Sequence, residues 1–232
     1  MSLPGRDRSA GYGRAVSQPS YLHSTRVAYD TVAADYAERS RTALDDKPLG
    51  RALLAAFAEL VQAGGGGPVA DLGCGPGDVT AHLHALGLAA FGVDLSPAMV
   101  ALARRAHPHL RFDEGSMTAL DLPDGTLGGI VAWYSIIHLP PEQLPAAFAE
   151  FHRVLAPGGY LLLGFQAGDE MLHLEQAFGQ VVSLDVHRLS PDRVVDALQR
   201  TGFAVTARLL REPDATEKVQ QSHLLARKPP AP

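Results

Sequence analysis

The apolar positions of the chain form two kinds of run: short apolar-rich blocks, and longer stretches in which apolar residues recur every three or four positions. The longer stretches predict helices. Tyr21, Val27, Tyr29, Val32, Ala33, Tyr36 and Ala37 recur at helical spacing, and Tyr29, Ala33 and Tyr36 stand at i, i+4 and i+7, so two phenols share one face. Leu53, Leu54, Phe57, Leu60 and Val61 mark a helix over residues 49–63, stopped by the four glycines at 64–67. The short blocks predict strands at 69–72, 89–93, 110–114, 130–133 and 160–165. Helices fall between them. One begins near Asp78 and closes at Gly87; one takes Ser96 as N-cap and Pro97 as its first residue; one covers 143–155 and stops at Pro157-Gly158-Gly159.

Strand alternating with helix at this spacing predicts a parallel sheet covered on both faces. Beyond Phe165 the pattern loosens, and residues 166–182 read as an excursion over the active face. A segment at 185–189, a helix at 191–201 and strands at 203–210 and 222–226 complete the chain. The expected fold class is α/β: a single domain with a doubly wound, mainly parallel seven-stranded sheet whose last strand is antiparallel. Its expected organisation is a flexible segment over 1–20, a helical lid over 21–45, the main domain over 46–227 with a short cap around 166–190, and a frayed tail over 228–232.

Composition narrows the function classes. A chain of 232 residues that is 46% hydrophobic can bury a full core. Its formal net charge of −5 argues against a dedicated nucleic-acid binder, which would carry a basic stripe. Cys74 is the single cysteine, so no intrachain disulfide forms. No apolar run is long enough to span a membrane, and residues 1–19 lack the apolar core of a signal peptide. A cytoplasmic location is expected.

The candidate chemistry gathers at the carboxyl ends of the predicted strands, where open parallel sheets bind ligands. Asp71-Leu72-Gly73-Cys74-Gly75-Pro76-Gly77 follows the first strand, its glycines at alternate positions. Glycine lets the backbone turn tightly and approach a ligand closely. A carboxylate just before the turn opposes a pyrophosphate and suggests a partner that is cationic or rich in hydrogen-bond donors. Asp94 follows the second strand and suits ribose hydroxyls. Ser116 and Met117 follow the third, where an amide and an apolar side chain suit an adenine ring. Tyr134, Ser135 and His138 follow the fourth. Together they outline a nucleoside-shaped site.

These motifs, with Gly92-Val93-Asp94-Leu95-Ser96, Leu155-Ala156-Pro157-Gly158-Gly159-Tyr160 and the Tyr29…Tyr36 lead-in, resemble the class I S-adenosylmethionine-dependent methyltransferases of the methyltransferase 11 type, over about residues 27–165. The resemblance implies a Rossmann-like fold and S-adenosyl-L-methionine as cofactor. It implies that Asp71 and Gly73 face the methionine portion, Asp94 takes the ribose, Leu95 packs on the adenine, and Ser116 and Met117 line the adenine pocket. Tyr21 and Tyr29 are assigned to the cofactor carboxylate; Cys74, Gly75, Trp133 and Tyr134 complete the expected cofactor-binding set. One departure stands out: many relatives open the fourth strand with an aspartate where this chain has Leu127-Gly128-Gly129-Ile130.

A sulfonium is a strong methyl donor, so the protein must align the nucleophile and shed its proton. His138 is the candidate base, with catalysis by proximity alone the alternative. His173 and His187 lie where they would touch substrate. His82 and His84 sit on different helix faces, His107 and His109 flank a helix end, and no spacing suggests a metal site. The expected activity is methyl transfer to a hydroxyl or amine of a small-molecule acceptor, by a monomer or homodimer that engages neither nucleic acid nor membrane. The alternatives are a cofactor-binding regulatory or scaffold protein without turnover, and a nicotinamide-dependent oxidoreductase.

Overall fold

The computed structural model describes residues 19–42 and 44–230. Of the segment expected to be flexible, residues 1–18 lie outside it, as do residues 231–232 of the tail. The element order is α1 (Ser20–Ser40), α2 (Pro48–Ala63), β1 (Val69–Leu72), α3 (Asp78–Ala85), β2 (Ala90–Asp94), α4 (Pro97–Ala106), β3 (Arg111–Glu114), β4 (Leu127–Trp133), α5 (Leu144–Val154), β5 (Leu155–Gln166), β6 (Met171–Ala177), β7 (Gln180–His187), α6 (Pro191–Arg200), β8 (Ala204–Arg211) and β9 (Gln221–Arg227).

Seven strands form one sheet in the order β3-β2-β1-β4-β5-β9-β8. β1 through β5 run parallel, and β9 is antiparallel to both of its neighbours, β5 and β8. The chain winds outward from β1 to β3, then returns to β4 on the other side of β1. That reversal opens the crevice beyond the carboxyl ends of β1 and β4, where ligands bind in such sheets.

Side-chain alternation divides the core between the two faces of the sheet. Along β4, Ile130 and Ala132 join one cluster and Val131 the other; along β5, Leu161 and Leu163 oppose Leu162 in the same way. Phe148, Phe151 and Leu198 from α5 and α6 cover the first face, and Leu54, Phe57, Val61 and Leu83 from α2 and α3 cover the second. Each of these side chains stabilises the fold by roughly 1.5–3 kcal/mol through burial.

Three segments differ from the sequence reading. The fifth strand begins at Leu155, which pairs with Leu127, and takes in the Pro157-Gly158-Gly159 read as a helix stop. Gly158 N–H donates to the Lys228 carbonyl (2.9 Å), Lys228 N–H donates to the Gly159 carbonyl (2.9 Å), and Lys228 Nζ bonds the His152 and Leu155 carbonyls. The tail is thus held at its first residue. The loose excursion is a β-hairpin, β6–β7, packed against α1. Phe178 (φ 52°) and Gly179 (φ 80°) occupy its two central turn positions, both in the left-handed region that a two-residue hairpin turn demands.

The glycine pair opening β4 also finds its reason. A Cβ on Gly128 would stand 2.2 Å from the Gly66 carbonyl oxygen, and one on Gly129 would stand 2.7 Å from Phe57 Cζ. Here the chain brings the linker before β1 and the core of α2 directly against the β4 backbone, leaving no space for the aspartate that many relatives carry. Gly128→Ala is expected to destabilise the protein by about 3 kcal/mol, since backbone must move to admit the methyl group. Urea unfolding of both forms measures the difference; equal midpoints would contradict the packing.

Candidate active site

The backbone at the end of β1 turns in a space that excludes side chains. Gly73 has φ 75°, and a Cβ there would lie 2.3 Å from Ser135 Cβ. Ser135 Oγ donates to the Leu72 carbonyl (2.6 Å), tying the end of β4 to the end of β1. From β2, the Val93 carbonyl accepts from Gly73 N–H (2.7 Å) and Cys74 N–H (3.2 Å). The carboxylate of Asp94 then accepts from Gly75 N–H at Oδ2 and from Ser96 N–H at Oδ1, each at 2.8 Å. Burial raises its pKa and these amide donors oppose the rise. A carboxylate has about four acceptor directions, so two remain for a diol.

Asp71 is 1% exposed and accepts the Thr80 hydroxyl at 2.7 Å. Burial, reinforced by Asp94 and Asp78, pushes its pKa up to about 7 against the Thr80 hydrogen bond. At neutral pH it is therefore poised between its two forms, and a neighbouring cation would favour the charged one. Cys74 packs with Val100, Ala103 and Phe112, and burial pushes its thiol pKa well up, so it serves as a small apolar residue and not as a nucleophile.

Helix α1 lies across these strand ends and is fastened at three points. Asp30 Oδ1 accepts from Ser96 Oγ (2.6 Å) and Ala98 N–H (3.2 Å), while Ser96 Oγ accepts from Met99 N–H (3.1 Å) as the N-cap of α4. Ser40 Oγ donates to Asp78 Oδ2 (2.9 Å) at the start of α3. Between them, Tyr29 Oη is 2.7 Å from His138 Nε2, and His138 Nδ1 is 3.0 Å from the Asp185 carbonyl of β7. A carbonyl only accepts, so Nδ1 carries the proton, Nε2 carries the lone pair, and Tyr29 donates to it. Burial brings His138 down to about 4, leaving it neutral near pH 7, and pushes Tyr29 well up. The phenol oxygen keeps its own lone pairs.

Two adjoining cavities share Tyr36, Gly73, Gly75, Trp133 and Tyr134. The first, of about 80 Å³, is lined among others by Tyr29, Asp94, Leu95, Ser116, Met117 and His138. The second, of about 450 Å³, takes in Asp71 and Cys74 and opens toward the start of α2 and the connection after β8. Twelve of the thirteen candidate residues line one or both cavities; Tyr21 alone lies outside them, packed on the main core cluster. His173 and His187 also lie outside both linings, and His173 pairs with Asp185 at 2.7 Å. Among the described residues, no group of three or more His, Cys, Asp or Glu side chains is placed to hold a metal ion.

The sequence reading did not place Lys47, Arg211, Asp214, Glu217 and His223 at the site. They come from a helix entry, from strands β8 and β9 and from the connection between those strands, and no local motif marks them. Asp30 was missed for a related reason, since an exposed polar residue on a helix carries no signal until its partner helix is known.

The sheet is doubly wound, and a cavity lined by Gly73, Asp94, Ser116 and Met117 lies at its switch point. Residues 69–159 match the family model described as a methyltransferase domain. A demethylmenaquinone methyltransferase of Chlorobaculum parvum is 35% identical over 39% of this chain and 37% of its own length. A malonyl-[acyl-carrier protein] O-methyltransferase of Pectobacterium atrosepticum is 30% identical over 70% of this chain and 60% of its own length. The chain thus spans less than two thirds of the length of these curated relatives. In fold it is similar to the 1,6-didemethyltoxoflavin-N1-methyltransferase of Burkholderia thailandensis, solved with bound 1,6-didemethyltoxoflavin and S-adenosylhomocysteine, at TM-score 0.67 and 20% identity, covering 90% of this chain and 89% of that one. Residues 69–159 thus form a methyltransferase domain, in a fold similar to that of S-adenosylmethionine-dependent methyltransferases.

The raised pKa of Asp71 fixes the sign of a stability effect. Its folded value lies near 7 and its unfolded value near 4, so the stability it contributes is present below pH 4 and is lost as pH rises through 7. Asp71→Asn mimics the protonated form at every pH. It is expected to match the wild type near pH 4 and to exceed it by about 4 kcal/mol above pH 7. Thermal denaturation across this range reads the difference, and a variant less stable at pH 8 would contradict the assignment.

Proposed function

We propose that the chain transfers the methyl group of S-adenosylmethionine to a hydroxyl or amine of a small-molecule acceptor. The observation that carries this reading is the Asp94 carboxylate, which faces the same cavity as Gly73, Ser116 and Met117. In this reading Asp94 accepts from the ribose hydroxyls, Leu95 meets the adenine face, and Ser116 and Met117 border the adenine edge. Gly73 and Gly75 let the methionine portion pass close to the backbone, and Asp71 offers its carboxylate toward the ammonium. Of the α1 tyrosines, Tyr29 and Tyr36 line the cavity, while Tyr21 packs against the core.

When bound, S-adenosylmethionine supplies an electrophilic methyl group on a sulfonium. The residues of the chain orient the acceptor against it and exclude water. Tyr29, its proton committed to His138, presents oxygen lone pairs in the first cavity and accepts a hydrogen bond from the acceptor hydroxyl or amine where that group enters it from the adjoining cavity. His138 acts through Tyr29. Its low pKa makes it too weak to ionise a free hydroxyl, but it takes a proton readily from the strongly acidic protonated ether formed as the methyl arrives. This favours oxygen over nitrogen, because an ammonium product holds its proton more firmly than imidazolium.

Calorimetric titration with S-adenosylhomocysteine tests the cofactor site. Micromolar binding is expected, weakened tenfold or more (about 1.4 kcal/mol) in Asp94→Ala, with circular dichroism confirming that the variant is folded. A folded wild-type chain that gives no heat would overturn the proposal.

A further inference from the structure

The second cavity has a chemistry of its own, and its assignment rests on the methyltransferase reading. One wall is aromatic. Trp133 and His223 lie with ring centroids 5.0 Å apart, Trp133 and Tyr134 at 5.7 Å, and Tyr134 and His223 at 6.1 Å. Tyr134 holds this position in the left-handed region at φ 56°, a strained conformation for a bulky residue and one that gathers at functional sites. At about 450 Å³ the cavity falls within the range of small-molecule sites.

His223 supplies the second observation. It is 4% exposed on strand β9, lines the cavity, and its Nδ1 has no hydrogen-bond partner. Buried polar atoms without partners are costly, and one beside a cavity is readily explained by a ligand that supplies the missing bond. Burial brings the imidazole down to about 4, so near pH 7 it is neutral and offers one donor and one acceptor.

The charges at the rim set the sign of the ligand. Two cations line the cavity, Lys47 and Arg211, and both are already engaged. Lys47 is hydrogen-bonded to Asp214 and, at 2.8 Å, to Glu217; Arg211 binds Glu217 at 2.6 Å. Burial alone would raise Glu217, yet Arg211 and Lys47 hold it near 2, and Lys47 with Thr216 holds Asp214 well below its usual value, so both are ionised. Asp46 and Asp78 add further carboxylates with no additional side-chain cation. An anionic ligand would have to break an existing ion pair and face this acidic lining.

We propose that this second cavity is the acceptor pocket, and that it takes a planar aromatic molecule bearing no anionic group, with a hydrogen-bonding substituent set against His223. The acceptor then enters between α2 and the connection after β8, and not beneath the β6–β7 hairpin.

Trp133 is the single tryptophan of the chain, so its emission reports directly on this wall. The full chain, saturated with S-adenosylhomocysteine, is titrated with 4-hydroxyquinoline as the neutral probe and quinoline-4-carboxylate as the anionic one. Saturable change with the neutral probe is expected, with binding of the carboxylate at least tenfold weaker. Gly50→Leu should reduce neutral-probe binding tenfold or more; Gly50 is helical, its Cβ would stand 3.2 Å from Trp133 Cζ2, and a longer side chain fills the cavity without straining the helix. His223→Leu should weaken the neutral probe to a similar degree. Carboxylate binding as tight as the neutral probe, indifference to either substitution, or no saturable change while S-adenosylhomocysteine still binds would each overturn the acceptor assignment alone. Failure of S-adenosylhomocysteine to bind would instead overturn the reading beneath it.

Discussion

The site depends on one carboxylate. Asp94 accepts Gly75 N–H with one oxygen and Ser96 N–H with the other, so a single side chain joins the glycine turn after β1 to the start of α4. Hydrogen bonds to an ionised acceptor are about twice as strong as neutral ones, which suits a link between two backbone segments that share no sheet register at that point. The same clasp aims the remaining lone pairs outward. Around it, the Gly73 turn presses on Ser135 so closely that no side chain fits between them. Strand β4 is thereby brought against the end of β1, and the residues after it inherit a fixed place beside the cavity.

The lid is organised by polar contacts more than by apolar ones. Helix α1 buries only Leu22, Ala28, Val32 and Ala33, too few to hold a helix of 21 residues by packing alone. Asp30 on Ser96, Ser40 on Asp78, and Tyr29 on His138 supply the remainder. The β6–β7 hairpin adds to the fastening. The Asp185 carbonyl fixes the His138 tautomer, and Phe178 packs edge-on against Tyr36 at 5.7 Å with Arg39 over its ring. The bulky residue at a positive φ in the hairpin turn thus gains contact with the lid in return for its strained backbone.

Much of this was legible in the sequence because it rests on local rules. Ser96-Pro97 caps α4 as its residue types require, and the apolar blocks mark the five parallel strands to within a few residues. Asp94, Gly73, Ser116 and Met117 converge because each follows a strand in one parallel sheet. The features that stayed hidden depend on distant partners or on broken rules. The hairpin was obscured because Phe178 stands where asparagine or aspartate usually announces such a turn. The strand pairing through Pro157-Gly158-Gly159 hid behind a pattern that ordinarily ends a helix. Lys47, Arg211 and His223 reach the site only through tertiary structure, and nothing in their neighbourhood marks them.

Two costs are retained at the centre of the site. Burial resists the ionisation of Asp71, and Tyr134 keeps a backbone angle its side chain disfavours. Sites that bind or transform ligands commonly hold such unfavourable features against the stability of the surrounding fold. A crystal structure of the chain with S-adenosylhomocysteine decides whether Asp94 holds the nucleoside while it clasps the turn. Both ribose hydroxyls are expected within hydrogen-bond distance of the Asp94 carboxylate, with Gly75 N–H and Ser96 N–H still bound to it and the adenine between Leu95 and Met117. A nucleoside bound away from Asp94, or a carboxylate that abandons the turn to reach it, would refute that role.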